Sequence, residues 1–455
     1  MKRTWRIMAL LLVVFMTLAL LNGCKDGKDP KETTAREART FGGRTFTIAS
    51  NWADGIWRAF PEQSAEQAEK QAIYDQMERD LDIKIEILDG VHAAEDIIPS
   101  LIAGDIPSDV VDFKIHGWMP LAVQGLIVPY DDPRLVAGGL DVEDPAVFFQ
   151  PFTKAQNWNG KIYGAMWNGK HFVAEFGWCI YFNKKLVADA GVSDLYQVVR
   201  DGKWDWNFFR DLAIKTTKDY DGDGKIDVYG VGTFGYGSEL FTNPGAEIIR
   251  NENGKMKVVL SEPAALDALE FTRQFAFLDK VRHPDGYGDV HRQFTDGKVA
   301  MVWGEQWNTH GDDMQFKTTD VDYGLVPMPK APGADYYVNV LGGVHSVSIY
   351  AGHSDEDLKD VAYILSEMGR RFTSDDWQES YLESDLRGDQ EALEMVLDYI
   401  WPHTVTDYVW SSVPILEFFR NNIYLPMTEG EGTAIQLVEK YEAELQAEVD
   451  ALFRQ

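Results

Sequence analysis

Four aspartates in the stretch KDYDGDGKIDVYG, residues 218–230, are spaced as in a calcium-binding loop. They occupy positions 1, 3, 5 and 9, and a glycine occupies position 6, as in loops of the EF-hand kind. The predicted metal-binding residues are Asp219, Asp221, Asp223, Lys225 and Asp227. Position 12 is Gly230 rather than the bidentate glutamate of a calcium sensor, and a strand-like pattern follows. We therefore expect a structural Ca²⁺ loop, with a solvated acidic turn and a sensor as alternatives.

Other chemical motifs are weak. Gly230, Gly232 and Gly235 form a G-x-G-x-x-G pattern, but no strand–glycine–helix context surrounds it. The nine histidines offer no helical pair for zinc, and no G-x-S-x-G nucleophile elbow occurs. A pair of carboxylates for glycoside hydrolysis can always be found among 73 acidic residues, so its presence does not indicate that activity. We predict no catalytic residue, and a secreted glycoside hydrolase remains an alternative.

Composition limits the possible partners. The formal net charge of −30 repels nucleic acid phosphates and anionic lipid head groups. The 455 residues, of which 45% are hydrophobic, suffice for two to three domains. The chain also has 14 tryptophans, which form either binding platforms or a large core.

The N-terminus has the pattern of a lipoprotein signal peptide, residues 1–23. A short basic segment precedes the apolar run MALLLVVFMTLALL, which is shorter than the roughly 20 residues of a membrane span. The run ends in Leu21-Asn22-Gly23-Cys24, which resembles a lipobox with an unusual Asn22. We expect lipidation of Cys24, with ordinary secretion as the alternative, and a flexible polar tether over 24–42. Cys179 would then have no disulfide partner and is predicted to be buried.

The remaining chain alternates strands with helices. GRTFTIAS, IKIEIL and SDVVDF have strand patterns, and a helical pattern covers residues 64–81. Asp205 is predicted to cap the helix in WDWNFFRDLAIKTTK, and Asn253-Gly254 predicts a hairpin turn. This alternation predicts an α/β fold.

A set of stretches in this order resembles the bacterial extracellular solute-binding proteins of ABC transporters, in the carbohydrate-binding group that includes maltose-binding protein. The stretches are the lipobox, LIAGDIPSDVVDF, LAVQGLIVPYDD, NGKIYGAMWNG, YFNKKLVADAGV, WDWNFFRDLAIKTTKDYDGDGKIDVYG and FTDGKVAMVWGEQW. The resemblance covers about residues 43–455. Tryptophan-rich insertions around 52–57 and 401–410 depart from the family pattern and leave the ligand open.

The resemblance implies a two-lobed periplasmic-binding-protein fold of class II, with a ligand cleft that closes by hinge bending. The expected crossings between lobes lie near 148–155, 297–304 and 347–356. The N-lobe would then contain 43–150 plus 304–350, and the C-lobe 151–303 plus 351–455. The aspartate loop would be a structural site away from the ligand.

The implied function is capture of a carbohydrate, an oligosaccharide, for the permease subunits of an ABC importer. The protein would be a monomer that is lipid-anchored on the extracytoplasmic side of the cell membrane. Presentation of the ligand to a membrane sensor is an alternative in a different class.

A sugar site needs flat aromatic faces and planar polar groups. The stretches that the family places at the cleft supply both. The predicted ligand-binding residues are Trp52, Asp54, Trp57, Asp112, Trp118, Trp167, Asn168, Trp303, Glu305, Trp307, Gly343, Tyr408 and Trp410. A core position is the alternative for each tryptophan, and Trp178, Trp204 and Trp206 are assigned to packing.

Overall fold

The structure, a computed structural model, describes most of residues 38–453. Outside the described residues lie 91–93, 168, 170, 173–176, 234–236, 238–240, 242–244, 287–288, 310–314, 342–343 and 375. The signal peptide, Cys24, Asn168 and Gly343 therefore lie outside the described part of the chain.

Fifteen strands are assigned in that part. They are β1 Arg44–Ser50, β2 Ile83–Asp89, β3 Val110–Phe113, β4 Ile127–Val128, β5 Asn157–Trp158, β6 Lys161–Ile162, β7 Cys179–Asn183, β8 Tyr229–Gly232, β9 Ile249–Glu252, β10 Lys255–Val258, β11 Val299–Gly304, β12 Tyr323–Pro327, β13 Asn339–Leu341, β14 Ser346–Tyr350 and β15 Thr404–Thr406.

The α-helices of the described residues are α1 Ala53–Ile56, α2 Ala65–Leu81, α3 Ile98–Ala103, α4 Ile115–Val123, α5 Pro133–Ala137, α6 Gln150–Ala155, α7 Lys184–Asp189, α8 Leu195–Arg200, α9 Trp206–Thr216, α10 Pro263–Arg273, α11 Asp289–Thr295, α12 Gln315–Thr318, α13 Asp355–Phe372, α14 Trp377–Ser384, α15 Gln390–Glu394, α16 Val413–Phe419, α17 Leu425–Glu429 and α18 Ala434–Leu452. Short 3₁₀- or π-helical turns cover Ala94–Asp96, Gln274–Leu278, Gln306–Asn308, Met395–Ile400, Trp401–His403, Tyr408–Ser411 and Arg420–Tyr424.

Local sequence signals explain several of these elements. The side chain of Ser64 accepts a hydrogen bond from the amide of Gln67 and starts α2. The predicted cap at Asp205 is confirmed, because its side chain accepts from the amide of Phe208. The predicted hairpin turn is confirmed between β9 and β10, where Asn253 and Gly254 both have positive φ, 58° and 90°.

The N-lobe is built on a five-stranded sheet of order β2-β1-β3-β14-β4. β1 runs parallel to β2 and β3, whereas β14 is antiparallel to both of its neighbours. Phe46 and Ile48 point from β1 into a core that also contains Leu358 and Ile364 of α13, and all four side chains are fully buried. Helix α13 therefore belongs to the N-lobe.

The C-lobe is built on a four-stranded sheet of order β12-β7-β11-β8. β7 is antiparallel to both β11 and β12, and β11 is parallel to β8. All six residues of β11 are buried, as in a central strand that is covered on both faces. The two-lobed α/β fold predicted from the sequence is thereby seen as two separate sheets.

The lobe boundaries differ from those predicted. β12, within the predicted N-lobe range 304–350, pairs with β7 in the C-lobe sheet, and α13, within the predicted C-lobe range 351–455, packs in the N-lobe core. The predicted crossings at 148–155, 297–304 and 347–356 coincide with α6, β11 and β14, which are parts of the lobes themselves. The chain passes instead between β6 and β7, between β13 and β14, and after α13. Strand periodicity identifies a strand but not its partner, which explains the error.

A buried lysine lies beside the N-lobe core. Lys70 of α2 is only 4% exposed, and its Nζ donates to the carbonyl oxygen of Ile56 and lies 4.6 Å from the ring centre of Phe172. Burial lowers the pKa of Lys70 to about 7, although the nearby carboxylate of Glu66 opposes the shift.

This lysine predicts a pH dependence of stability. The folded-state pKa of about 7 lies below the unfolded value of about 10.4, so the unfolded state binds more protons between these pH values. The free energy of unfolding should therefore rise from pH 7 to pH 10, and Lys70→Met should weaken that rise and add about 1–4 kcal/mol at pH 6. Urea unfolding across this range measures both, with the exposed Lys84→Met as control. Equal pH slopes in the parent and Lys70→Met would contradict the prediction.

Candidate functional site

Each sheet presents one edge at which several strands end or begin together. In the N-lobe, Ser50 at the end of β1 is in register with Asp112 of β3, and Phe113 is in register with Ser346 at the start of β14. The residues just beyond this edge are 51–57 and His345. In open sheets with parallel strands, ligands bind beyond the carboxyl ends of the strands.

Asp112 is the centre of a buried hydrogen-bond cluster at the N-lobe edge. Its carboxylate accepts hydrogen bonds from the Ser50 hydroxyl and from Trp57 Nε1, both at 2.8 Å. The Nδ1 atom of His345 lies 3.0 Å from Asp112 Oδ2. Asp112 is fully buried, so these partners fix the end of β3 to the end of β1, to the segment that follows β1 and to the residue that precedes β14.

His345 was not predicted as a site residue, although it contacts two predicted residues, Trp52 and Asp112. Its ring lies 5.9 Å from the ring of Trp52, and it contacts Asp112 on the other side. In the sequence it is a single histidine in LGGVHSV, with no spacing signal that would identify it. Trp52 itself is 39% exposed and follows β1 directly. It is therefore an aromatic ring that a ligand at this edge can reach.

Asp54 lies on the surface near Trp52. Its carboxylate forms an ion pair with Arg58 at 2.6 Å, and the same guanidinium contacts Asp89 at 2.9 Å. The hydrogen bonds to Asp54 and Asp89 raise the pKa of Arg58. Because the pair is solvent-exposed, it orients Asp54 more than it stabilises the fold.

The corresponding edge of the C-lobe sheet is formed by four strands. Gly304 of β11 and Pro327 of β12 are both in register with Cys179 of β7, and Val302 is in register with Gly232 at the end of β8. The residues beyond β11 are Glu305 and Trp307. Cys179 is buried, and burial raises the pKa of its thiol well above the usual range, so the thiol is unreactive.

Glu305 and Trp307 form a fixed pair at this edge. The indole Nε1 of Trp307 donates to Glu305 Oε2 at 2.8 Å, and the Tyr181 hydroxyl donates to the backbone carbonyl of Glu305 at 3.1 Å. The amide of Glu305 donates to Asn308 Oδ1, which closes the turn. Trp307 is only partly buried, whereas Glu305 is 8% exposed, so this edge presents an aromatic surface that a buried carboxylate holds in place.

Buried side chains contact the turn Gln306–Asn308 from the interior of the C-lobe. Gln306 Nε2 donates to the buried carboxylate of Asp385 at 3.0 Å. His291 lies 5.9 Å from Trp307 by ring centres, and burial lowers its pKa to about 4. The imidazole is therefore neutral at pH 7 and packs as an uncharged ring.

Four predicted tryptophans are fully buried. They are Trp57, Trp118, Trp167 and Trp303. Trp57 and Trp167 contact each other at 5.7 Å within the N-lobe core, and Trp303 contacts Phe275 at 5.9 Å within the C-lobe core. Trp118 donates to Gln156 Oε1 at 2.9 Å. In this arrangement none of the four rings exposes a face to a ligand, and their positions match the core alternative.

Tyr408 and Trp410, the two predicted residues of the insertion around 401–410, lie in different surroundings. Trp410 is 6% exposed and lies 6.4 Å from Trp178, which precedes β7 at the C-lobe edge. Tyr408 packs 6.2 Å from Trp158 of β5, and its hydroxyl donates to the carbonyl of Asn157. Trp178, Trp204 and Trp206 are buried, as predicted.

The aspartate loop lies between α9 and β8, at the start of β8 and thus at the sheet edge opposite to Gly232. Carboxylate oxygens of Asp219, Asp221 and Asp227 lie within 4.8 Å of one another. The two oxygens of Asp219 accept from the amides of Gly222 and Gly224, whose φ values are 76° and 88°. Exposed carboxylate oxygens converging on one point are the donor set that Ca²⁺ prefers. Of the predicted residues, Asp223 and Lys225 are not in the converging group.

The family model described as bacterial extracellular solute-binding protein matches residues 60–369. Among curated protein sequences, no relative matches this chain. Within the described part of the chain, every helix is too short or too polar to span a lipid bilayer.

Solved structures with the same fold include three binding proteins. The GacH receptor of Streptomyces glaucescens, solved unliganded and with acarbose, is 16% identical, with a TM-score of 0.59 over 91% of this chain and 99% of that chain. UgpB of Mycobacterium tuberculosis, in complex with glycerophosphocholine, is 18% identical, with a TM-score of 0.63 over 90% and 99%. The sugar-binding protein MalE of Xanthomonas citri is 16% identical, with a TM-score of 0.63 over 90% and 99%. At this identity the likeness shows the fold alone.

Proposed function

The chain belongs to the bacterial extracellular solute-binding proteins, and we propose that it captures a carbohydrate, an oligosaccharide, between its lobes for an ABC importer. Members of this family bind a solute and do not transform it. The chain acts as a monomer and releases its ligand to the permease subunits. No covalent chemistry is needed, because binding and lobe closure suffice for capture.

The observation that carries this proposal is an accessible aromatic ring at each sheet edge, with a carboxylate two positions away in the sequence. At the N-lobe edge the exposed ring of Trp52 lies beside His345 of the Asp112 cluster, and Asp54 follows in sequence. The C-lobe edge has Trp307 hydrogen-bonded to Glu305. An indole face covers the apolar C–H face of a pyranose, and carboxylates accept hydrogen bonds from its hydroxyl groups.

The structural relatives were solved with ligands of two classes. The GacH receptor was solved with acarbose, and MalE of Bdellovibrio bacteriovorus with maltotriose. UgpB was solved with glycerophosphocholine on the same fold. Because one fold accepts both ligand classes, the argument for a carbohydrate rests on the aromatic and acidic character of the two edges.

Closure would bring these edges together. The passages between β6 and β7, between β13 and β14, and after α13 are the segments that connect the lobes. A ligand that contacts both edges stabilises the closed arrangement by its differential affinity for that state. The hydrogen bond between Glu305 and Trp307 already fixes both side chains, so little conformational entropy is lost at the C-lobe edge when a ligand binds.

A thermal-shift panel tests the ligand class. Maltotriose, other oligosaccharides and glycerophosphocholine are added separately to the full chain, and the melting temperature is recorded. A bound ligand at 100 times its Kd adds about 2.7 kcal/mol to the free energy of unfolding. An increase with an oligosaccharide supports the proposal. An increase with glycerophosphocholine alone would refute carbohydrate capture and leave the family assignment intact.

We propose membrane attachment through Cys24, for which the lipobox-like Leu21-Asn22-Gly23-Cys24 is the support. Several acyl chains on one residue bind a bilayer stably, at about 0.8 kcal/mol for each buried CH₂. Cys24→Ala should therefore move the protein from the membrane to the soluble fraction, whereas Cys179→Ala should leave it in the membrane. Fractionation followed by immunoblotting measures both. Retention of Cys24→Ala in the membrane would exclude the lipid anchor.

We also propose that Asp219, Asp221 and Asp227 hold a structural Ca²⁺. The three like charges within 4.8 Å repel one another without a cation, and an ion would remove this repulsion.

This metal site predicts a reversal of relative stability. In a chelator, Asp221→Ala/Asp227→Ala should be at least as stable as the parent, because repulsion is reduced. In millimolar Ca²⁺ the parent should melt several degrees higher than the double variant. The exposed Asp105→Asn is the control and should respond to Ca²⁺ like the parent. If Ca²⁺ changed the melting temperature of none of the three proteins, the metal site would be excluded and the loop would be a solvated acidic turn.

A further inference from the structure

A cavity of about 310 Å³ lies next to the C-lobe edge, where the carbonyl of its lining residue Val340 accepts a hydrogen bond from the amide of Trp178. Its walls are Phe241, residues 245–249, and parts of the segments that carry β13 and β15. Trp52, Glu305 and Trp307 do not line it. Well-packed proteins have few voids larger than a water molecule, and this volume is at the lower end of the roughly 300–1,000 Å³ typical of ligand pockets.

The rim of the cavity is aromatic and exposed. Tyr336 and His403 stack with ring centres 4.2 Å apart and an angle of 29° between the rings. Tyr336 is 40% exposed and Val405 is 46% exposed, so two large apolar side chains at one opening face water. The inner wall is apolar and includes Val338, which is almost fully buried.

The two threonine hydroxyls of the cavity are already used as donors. The Thr404 hydroxyl donates to the Trp401 carbonyl at 2.9 Å and accepts from Asn339. The Thr406 hydroxyl donates to the carbonyl of Ala155 in the N-lobe. A sugar needs donors as well as acceptors from its site. These two threonines therefore offer no hydroxyl proton to a ligand.

The charged groups of the cavity are acidic. Glu247 and Asp407 line it, and no lysine or arginine is among its described lining residues. Arg250 contacts Glu247 from outside, but the same guanidinium is held by both carboxylate oxygens of Glu262 at 2.9 Å. Glu247 thus shares its cation with a second carboxylate. The surplus of negative charge favours a cation and disfavours an anion.

From the aromatic rim, the apolar wall, the committed threonine hydroxyls and the two carboxylates, we propose that this cavity is a second ligand site for a small organic cation with an apolar body, such as an alkylammonium. The ammonium group would lie against Glu247 and Asp407 and over the Tyr336 ring, and the apolar body would cover Val338. The proposal does not depend on which solute occupies the cleft.

Cyclohexylammonium and cyclohexanol test the site, since they share shape and differ in charge. Binding is measured by calorimetric titration of the full chain in 0.15 M salt, because salt screens the non-specific attraction of a cation to the acidic surface. The amine should bind once per chain and at least about tenfold more tightly than the alcohol. Glu247→Gln and Asp407→Asn should each weaken amine binding about tenfold and leave the alcohol unaffected. Asn at position 407 keeps the helix cap that Asp407 provides to Val409.

Two further variants locate the binding. Glu252→Gln removes a carboxylate of β9 that does not line the cavity, and it should bind the amine like the parent. Val338→Phe fills the cavity and should abolish binding of both compounds, with a melting curve to confirm folding. Equal affinity for amine and alcohol, amine binding that survives Glu247→Gln and Asp407→Asn, or absence of saturable binding would each overturn the proposal.

Discussion

Replacement of Trp303 by alanine should lower the free energy of unfolding by about 3–5 kcal/mol. The side chain is fully buried on β11, one of the two inner strands of the C-lobe sheet, and packs against Phe275 at 5.9 Å. Removal of the indole leaves a cavity in a region where all neighbouring residues of β11 are buried as well. Urea unfolding of the full chain measures the loss.

Trp307→Ala is the matched variant, because the two tryptophans are four positions apart and have opposite surroundings. Trp307 is only partly buried and lies beyond the strand, so the fold should be kept. Loss of apolar contact with a bound carbohydrate should cost about 1.5–3 kcal/mol, or roughly ten- to a hundredfold in affinity by calorimetry. A Trp303→Ala protein with parental stability, or a Trp307→Ala protein with parental affinity, would show that these roles are assigned incorrectly.

Replacement of Asp112 by alanine should also destabilise the protein by about 3–5 kcal/mol. The carboxylate is fully buried, and its removal leaves the Ser50 hydroxyl, Trp57 Nε1 and His345 Nδ1 without their acceptor. Each buried polar group that loses its partner costs about 1–3 kcal/mol. Denaturant unfolding measures the change.

Asp112→Asn separates charge from hydrogen bonding in the same cluster. An amide keeps one acceptor for Trp57 or Ser50 and can donate to His345, so its loss of stability should be less than half that of the alanine variant. Asp54→Ala removes an exposed carboxylate of the same edge and should change stability by less than about 1 kcal/mol. If Asp112→Ala were as stable as Asp54→Ala, the buried cluster would not hold the N-lobe edge together.

The sequence predicts the elements better than their pairing. The alternation in GRTFTIAS and the cap at Asp205 are local signals, and both match the structure. The strand Tyr323–Pro327 is an apolar segment with no feature that specifies its sheet. Its partner β7 lies well over a hundred residues earlier, so only tertiary packing decides that it completes the C-lobe.

The candidate site could be predicted only in part for a related reason. Glu305 and Trp307 directly follow a strand, which places them at a sheet edge as the sequence suggests. Trp303 belongs to the same stretch, but β11 is buried on both faces and shows no alternation that would separate inward from outward rings. His345 could not be predicted, because its importance comes from contact with Asp112, 233 positions earlier in the chain.

The place of β14 and α13 in the N-lobe has a consequence for the order in which this chain can fold. β14 pairs with β3, and Ser346 reaches Phe113 across 233 positions of sequence. The C-lobe sheet, in contrast, has all its strands once the chain has been made as far as Pro327. The lobe that begins first is therefore the one whose sheet is completed last. The core of the N-lobe therefore cannot close until the chain has been made as far as Phe372, so the leading part of the chain has to wait for residues that come more than two hundred positions later.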